Sequence, residues 1–386
     1  MPDLDKALQD RRAQALYRSR RIVEGPQQPQ MRIDGREVVS FCSNDYLGLA
    51  NHPKVVAAFR QAAETCGVGS GAAHLINGHN RYHHQLEAAL AAFVGAPRAL
   101  LFSTGYMANL GIVQALMTRG DAIYADRLNH ASLLDGARLS GARLRRYPHG
   151  DVAALTAMLE RCSARNRLIM SDGVFSMDGD IAPLPALIRL ATATDAWLLI
   201  DDAHGFGLLG DDGRGTLSLH RTAPNDKLIL MGTLGKAAGV AGAFVAGSEN
   251  LIEYLIQTAR TYIFTTAMPA ANAAATLASL ELIRNEPERR ARLHEHIEYF
   301  RRQARQAGVP LLPSDTAIQG IPCGENAAAV QLGQQLWERG YLVTPIRPPT
   351  VPPGTARLRL TLSAAHRREQ IDGVIAALAE ALDTQR

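Results

Sequence analysis

Short apolar runs alternate with helical segments through the middle of this 386-residue chain, and this alternation restricts the fold more than any other feature. Each run has the length and the aliphatic content of a strand that is buried on both faces. Strands separated by helices build a mostly parallel sheet with helices on both sides, so we predict a doubly wound α/β fold. The predicted strands are residues 98–102, 121–125, 167–171, 196–201, 227–231 and 241–246.

The length of the chain predicts more than one folding unit, because 386 residues exceed what one small hydrophobic core serves. The first residues have the spacing of an amphipathic helix, and a long charged segment begins near residue 284. We therefore expect an N-terminal helix and strand segment at 1–45, a large α/β domain at 46–280, and a small α+β C-terminal domain at 281–386.

Composition narrows the class of protein. The 41 basic and 37 acidic side chains give a net charge of +4, which does not favour nucleic acid but suits an anionic substrate such as an acyl-CoA. Four scattered cysteines without a CxxC pair are typical of a reducing cytosol, so we expect a cytoplasmic protein. The longest apolar stretch, 267–283, contains Pro269, Asn272 and Thr276 and indicates a core helix, so we expect no membrane span.

Two of the predicted strands end close to opposite charges, Asp201 and Lys236. Asp201 opens an Asp-x-x-His pattern with His204, and about 30 residues later Thr233 opens a Thr-x-x-Lys pattern with Lys236. One explanation is an ion pair between the two charges beside ordinary turn glycines. The other is a ligand site, because ligands bind doubly wound sheets outside the carboxyl ends of the strands.

Asp201, His204, Thr233 and Lys236 resemble the cofactor signature of fold-type I pyridoxal 5'-phosphate (PLP) enzymes. The resemblance implies that PLP binds covalently to Lys236. It implies that Asp201 keeps the ring nitrogen of PLP protonated, because a nearby negative charge favours the charged form. It also implies that His204 contacts the cofactor and that the Thr233 hydroxyl reaches its phosphate.

Three further segments narrow the resemblance to the α-oxoamine synthases, PLP enzymes that condense an amino acid with an acyl-CoA. The segments are SNDYLGL at 43–49, GVFSMDGD at 173–180 and the long run from YLVTPIRPPT to RLRLTLSAAH at 341–366. Taken alone, the first of them also fits a simple Asx turn at Asn44 or Asp45. The resemblance covers about residues 11–370.

This family resemblance assigns further cofactor contacts. Gly105 and Tyr106 stand where a strand runs into a helix, and backbone amides at a helix start bind phosphate. By resemblance, Ser176 lies near the phenolic oxygen of PLP, and His130 stacks on its ring and hydrogen-bonds the acyl carbonyl. The family pattern also implies a homodimer, in which Thr265 or Thr266 reaches a phosphate across the interface.

Substrate contacts follow from the same resemblance. Arg359, on the predicted strand RLRL, is the first choice for binding the carboxylate of the amino acid, because a guanidinium pairs with it bidentately. An ordinary strand arginine is the alternative, and Arg357 is the second choice if the strand faces the other way. The resemblance assigns Asn44 and Thr350 to the substrate. It assigns Arg18 to the acyl group, with Arg20 and Arg21 as alternatives.

The implied activity is a decarboxylative condensation of L-alanine with a pimeloyl thioester, in which the freed Lys236 amine removes the Cα proton. Ala72, Ala73 and His74 replace the GTR sequence of several acetyl- or succinyl-transferring relatives, which favours the longer pimeloyl chain. Two alternatives stay open. One is a sister enzyme that joins glycine and acetyl-CoA, and the other is a non-catalytic binding protein that reuses the fold.

Four histidines, His74, His79, His83 and His84, lie close together in the sequence and suggest zinc. Zinc sites usually combine histidine with cysteine or a carboxylate. We find no cysteine or carboxylate in the pattern that completes a ligand set, so we predict no metal.

Overall fold

The computed structural model describes residues 2–222 and 225–384. The chain forms two compact units. The terminal unit comprises the described residues of Met1–Asn51, Ser176–Asp180 and Glu288–Arg386, and the central unit those of His52–Phe175 and Ile181–Pro287. The division into domains at 1–45, 46–280 and 281–386 stays a prediction about folding units.

The strands, in chain order, are β1 Val23–Glu24, β2 Gln30–Ile33, β3 Arg36–Ser40, β4 Arg98–Phe102, β5 Ala122–Asp126, β6 Arg143–Tyr147, β7 Arg167–Asp172, β8 Trp197–Asp201, β9 Leu228–Thr233, β10 Ala243–Gly247, β11 Ile318–Gly324, β12 Tyr341–Leu342, β13 Thr344–Ile346 and β14 Ala356–Thr361.

The α-helices are α1 Leu4–Ala13, α2 Pro53–Cys66, α3 Arg81–Val94, α4 Gly105–Leu116, α5 Ala131–Ser140, α6 Val152–Glu160, α7 Leu184–Ala193, α8 Thr216–Leu219, α9 Glu249–Thr258, α10 Arg260–Ile263, α11 Ala270–Asn285, α12 Glu288–Gln306, α13 Asn326–Glu338 and α14 Arg368–Asp383. A short π-helical turn, His74–Gly78, precedes α3.

The central unit contains a seven-stranded sheet in the order β4-β10-β9-β8-β7-β5-β6. Strand β10 runs antiparallel to both of its neighbours, and the other strands run parallel. The predicted α/β sheet is therefore confirmed, and each predicted strand agrees with the observed one to within two residues at either end.

Burial on both faces explains why these strands read as continuous apolar runs. Every residue of β5 is buried, as are the residues of β8 after Trp197. Their side chains pack with those of α4, α5 and α9 into one core that includes Phe102, Ile112 and Met231. Excluding such side chains from water provides the main force that holds the sheet to its helices.

Strand β6 is absent from the sequence prediction. Its sequence, RLRRY, is mostly charged, and most of its side chains are half-buried or exposed. It lies at the edge of the sheet and pairs with β5 alone. Charged side chains are common on edge strands because they discourage pairing with other chains, so an apolar pattern does not reveal such a strand.

The terminal unit contains two smaller sheets, in the orders β1-β2-β3-β12 and β11-β14-β13. Strand β12 pairs in parallel with β3, which lies about 300 residues earlier in the chain. Trp337 on α13 packs with Met31, Ile33 and Val38 beneath the first sheet. The predicted N-terminal helix is present as α1, but it buries none of its own residues.

Among the described residues, none of the helices is both long enough and apolar enough to cross a bilayer. The most apolar of the long segments, α11, instead buries alanines against α2 and α3 within the central unit.

Candidate active site

The carboxyl ends of the parallel strands bring the predicted cofactor residues of the central unit to one edge of the sheet. Asp201 is the last residue of β8 and Thr233 the last of β9. Gly105 begins α4 just after β4, and His130 caps α5 just after β5. Lys236 follows β9 by three residues. Parallel strands end at the same edge, which is where ligands bind in this architecture.

Asp201 is a buried carboxyl group with a fixed orientation. Only 5% of the residue is exposed. The Ala203 N–H donates to Oδ1 at 3.1 Å, and the Asn109 side-chain amide donates to Oδ2 at 2.8 Å. Neither of these two contacts is an ion pair. Its donors are neutral, which leaves a buried acid able to pair with a cationic ring nitrogen.

Asn109 also connects Asp201 to His130. The same amide nitrogen donates to the Ser132 hydroxyl at 2.8 Å, and that hydroxyl lies 2.7 Å from His130 Nδ1. Because the Ser132 N–H also points to Nδ1, this nitrogen accepts hydrogen bonds and the neutral ring carries its proton on Nε2. Asn109 and Ser132 are completely buried and were missed by the sequence reasoning. A polar residue inside an apolar helix such as α4 was the available signal.

The pKa of His130 shows that both charges of the motif act on one ring. Desolvation by the surrounding protein lowers this pKa, and the positive charge of Lys236 lowers it further. The negative charge of Asp201 has the opposite effect and raises it. Since the net shift is downward, the imidazole is neutral at pH 7, and its Nε2–H is available as a hydrogen-bond donor.

Lys236 and His204 lie together. Lys236 Nζ is 2.8 Å from His204 Nε2, and His204 is buried to 8% exposure. This contact holds the amine beside the loop that follows Asp201, so the two halves of the sequence motif meet in space. Thr233 donates its hydroxyl hydrogen to the Gly242 carbonyl at 3.1 Å, so donation to a phosphate would replace this hydrogen bond.

The start of α4 has the form of an anion site. Thr104 caps the helix by accepting a hydrogen bond from the Met107 N–H at 3.1 Å. The first amides of a helix have no partner within the helix, so Gly105 and Tyr106 offer donors to a phosphate. Tyr106 is 44% exposed, and its hydroxyl donates to the Asp135 carboxylate. That hydrogen bond lowers the pKa of Asp135 and raises the pKa of Tyr106.

These groups fit PLP in their chemistry. A lysine amine can hold the aldehyde, a buried carboxyl group held only by neutral donors can pair with the ring nitrogen, and a helix start can bind the phosphate. The charges of Lys236 and Asp201 both act on the neutral imidazole of His130, in opposite directions. The central unit therefore supplies each type of group that the cofactor requires.

Arg359 of the terminal unit lies on β14 and is 7% exposed. Its Nε donates to the Ser176 carbonyl at 2.6 Å, and its Nη2 donates to Asn44 Oδ1 at 3.2 Å. The structure thus brings together three of the predicted residues, Asn44, Ser176 and Arg359. In the described ranges Arg359 has no carboxylate partner. Its buried guanidinium can therefore pair with the carboxylate of a substrate.

Arg357 and Arg359 lie on the same face of β14, because side chains two residues apart in a strand point the same way. The prediction that they are alternatives on opposite faces is therefore wrong. The distinction comes from their partners. Arg357 forms an ion pair with Asp178, which neutralises it.

The three N-terminal arginines also differ in their contacts. Arg21 pairs with Asp34 at 3.3 Å and stacks over Trp337 at 3.7 Å. Arg18 is exposed. Burial lowers the pKa of Arg347, and the positive charge of Arg18 lowers it further. Arg347 donates to the Ala15 and Tyr17 carbonyls and was missed by the sequence reasoning. Within the described residues no specific contact distinguishes Arg20, and the assignment of Arg18 to the acyl group stays a prediction.

Two other predicted positions lie in loops. Thr350 is exposed, in a turn closed by a hydrogen bond from its N–H to the Arg347 carbonyl at 3.1 Å. Thr266 is exposed and forms a β-bridge with Ala73, and Thr265 is half-buried beside it.

Comparison with known proteins gives consistent results. The sequence profile of the aminotransferase class I and II family matches residues 36–378. An 8-amino-7-oxononanoate synthase of Methylococcus capsulatus is 58% identical over 380 residues, which cover 98% of each chain.

Two solved structures share the fold. A serine palmitoyltransferase of S. paucimobilis with a bound PLP–myriocin aldimine matches with a TM-score of 0.93 at 30% identity, covering 99% of this chain and 97% of that one. An 8-amino-7-oxononanoate synthase of Francisella tularensis matches with a TM-score of 0.78 at 33% identity, covering 90% of this chain and 98% of that one. The chain therefore belongs to the aminotransferase class I and II family of fold-type I PLP-dependent enzymes.

Proposed function

We propose that this chain catalyses the reaction named by its relatives, the condensation of L-alanine with a pimeloyl thioester to 8-amino-7-oxononanoate, a step of biotin biosynthesis. The reaction removes the Cα proton of alanine, forms a C–C bond between Cα and the acyl carbon, and breaks the thioester bond to release the carrier thiol. It then breaks the bond between Cα and the carboxylate to release CO₂, and a proton is returned to Cα. The observation that carries the proposal is the 58% identity to an 8-amino-7-oxononanoate synthase over 98% of both chains.

PLP, when bound, delocalises the negative charge that forms at the alanine Cα. Asp201 holds a proton on the ring nitrogen, because its charge favours the protonated form. Asn109 and the Ala203 N–H keep the carboxyl group in position for this contact. The Lys236 amine accepts the Cα proton and later returns a proton to the product, and His204 positions that amine.

His130 acts on the acyl group in this proposal. Its Nδ1 accepts from Ser132, so its Nε2–H can donate to the carbonyl oxygen of the thioester. A hydrogen bond to that oxygen strengthens as negative charge develops on it during attack by Cα. The lowered pKa of His130 keeps the ring a neutral donor at pH 7.

Arg359→Lys should raise KM for L-alanine about 10- to 100-fold, because a lysine cannot pair bidentately with the substrate carboxylate. Steady-state kinetics at saturating pimeloyl-CoA measure the effect. Arg357→Lys is the matched control on the same face of β14. It weakens the pair with Asp178 and should lower thermal stability while leaving KM for L-alanine within about threefold. Equal KM values for both variants would contradict the assignment of Arg359.

Identification of the product by mass spectrometry tests the proposed reaction. The purified holoenzyme is incubated with each pair of L-alanine, glycine or L-serine and pimeloyl-, acetyl- or palmitoyl-CoA, since a serine palmitoyltransferase shares the fold. Pimeloyl groups on a carrier protein are tested in parallel. We expect 8-amino-7-oxononanoate from L-alanine and a pimeloyl thioester as the fastest reaction. A faster reaction of glycine with acetyl-CoA, or no product from any pair, would contradict the proposal.

We also propose a cytoplasmic homodimer. Four free cysteines support the location. Val68, Leu75 and Ile76 are 87%, 49% and 78% exposed in the glycine-containing segment before α3, and a second copy of the chain would cover such apolar side chains. Light scattering coupled to size exclusion should give twice the chain mass of 41.7 kDa, and a monomer mass at micromolar concentration would contradict the proposal.

A further inference from the structure

A group of histidine and glutamate side chains, residue types that can ligate metal ions, lies in the central unit, separate from the residues assigned to PLP. The histidine cluster, as we define it, contains His74 and His79 around the π-helical turn and His83, His84 and Glu87 on α3. Two overlapping sets of three have their ligand atoms within 4.8 Å of one another: His74, His79 and His83, and His79, His84 and Glu87. The contacts of each side chain decide between the two sets.

His83 is engaged at both ring nitrogens. Its Nδ1 accepts a hydrogen bond from the Asn80 N–H at 2.9 Å. Its Nε2 lies 2.8 Å from the Met268 carbonyl, to which it donates. Because a metal ligand needs a free lone pair, His83 serves to fix the start of α3, and the set of three histidines is excluded in this arrangement.

His79 has the contacts of an oriented ligand. Its Nδ1 lies 3.0 Å from Nδ1 of His74, which in turn stacks on the Tyr262 ring with centroids 5.0 Å apart and an angle of 12°. This contact occupies Nδ1 and leaves Nε2, which lies 4.0 Å from Glu87 Oε2. Histidines that bind metals usually make such a hydrogen bond through the other ring nitrogen.

Glu87 supplies the carboxylate that the sequence reasoning did not find. Its Oε1 accepts from the Leu101 N–H at 3.0 Å, which leaves Oε2 directed towards His79. His84 and Glu87 are three residues apart on α3 and therefore share one face of the helix.

We propose that His79, His84 and Glu87 bind one divalent transition-metal ion of the Zn²⁺ type, and that His74 orients His79. Two imidazoles and one carboxylate form a known ligand set for such ions, with a fourth position left for water or another ligand. His79 and His84 are exposed in the single chain, and Glu87 is half-buried. Zn–N and Zn–O bonds of about 2 Å require the ligand atoms to move closer together by small side-chain rotations.

Titration of the untagged holoenzyme with Zn²⁺, followed by calorimetry, tests the proposal. We expect one ion per chain. His84→Ala, an exposed position, and Glu87→Gln should each weaken binding at least about tenfold, and His74→Phe should weaken it about 10- to 100-fold through the loss of orientation. Gln85→Ala on the same helix and His294→Ala, an exposed histidine on α12, are controls that should bind Zn²⁺ like the unmodified chain.

Binding that persists unchanged in His84→Ala would overturn the proposal, as would the absence of a site with a stoichiometry of one. Circular dichroism and PLP absorbance of each variant show that it is folded and loaded with cofactor, so a loss of Zn²⁺ binding is not confused with unfolding. The readout is metal binding and not turnover, and it therefore fails or succeeds independently of the proposed reaction.

Discussion

Replacement of Lys236 by alanine should reduce turnover by about 10⁴-fold or more, because one side chain both holds the cofactor and moves the Cα proton. The visible absorbance of lysine-bound PLP should disappear with it. Both effects are measured on purified protein reconstituted with excess PLP, by absorbance spectroscopy and by product formation from L-alanine and pimeloyl-CoA.

The matched control is Lys227→Ala, at the opposite end of the strand that leads to Lys236. Lys227 lies just before β9 and pairs with Asp195 at 2.5 Å, away from the carboxyl edge of the sheet. An exposed pair of this kind contributes little to stability, so activity should stay within about twofold of the unmodified chain. Full activity and unchanged absorbance in Lys236→Ala would refute the assignment of the lysine.

Asp201→Asn should slow turnover about 100- to 1,000-fold, because a neutral amide no longer favours the protonated ring nitrogen. The variant should still bind PLP, since Lys236 and the start of α4 are unchanged. Single-turnover measurements of Cα–H exchange in L-alanine separate proton removal from the later steps, and we expect the loss in proton removal.

Asp195→Asn is the control at the opposite end of β8, where the carboxylate pairs with Lys227. It should exchange the Cα proton at the normal rate. A normal exchange rate in Asp201→Asn would show that Asp201 does not act on the ring nitrogen. Loss of PLP binding in that variant would instead indicate that Asp201 mainly holds the cofactor in place.

The central sheet could be predicted from the sequence because its strands are buried on both faces. The apolar runs from β4 to β10 give an unambiguous signal, and the carboxyl edge then follows from the parallel direction of the strands. The exception, β6, pairs on one side only and carries arginines, so its pattern does not differ from that of a surface loop.

The supporting residues could not be predicted because their role depends on contacts between distant parts of the chain. Asn109 lies 92 residues before Asp201, yet its amide donates to the Asp201 carboxyl group. Glu87 is close to the histidines in sequence, but the approach of His79 to its carboxylate depends on the turn that precedes α3, which the sequence pattern does not show. Sequence motifs locate the reacting groups, and tertiary contacts locate the groups that orient them.

The organisation of the terminal unit was similarly inaccessible. The parallel pairing of β3 with β12 joins residues near 40 to residues near 341, and no local pattern records such a pairing. The separate roles of Arg357 and Arg359 also depend on a distant residue, because Asp178 neutralises one of the two. The sequence of β14 alone does not distinguish the two arginines.

The location of the bound cofactor can be tested directly, because the chain contains only four lysines, Lys6, Lys54, Lys227 and Lys236. Borohydride reduction of the holoenzyme makes the lysine–PLP bond permanent, and trypsin digestion with mass spectrometry then locates it. We expect the PLP mass on the peptide of residues 228–260, left uncut at the modified Lys236. A PLP mass on a peptide that carries Lys6, Lys54 or Lys227 instead would contradict the account.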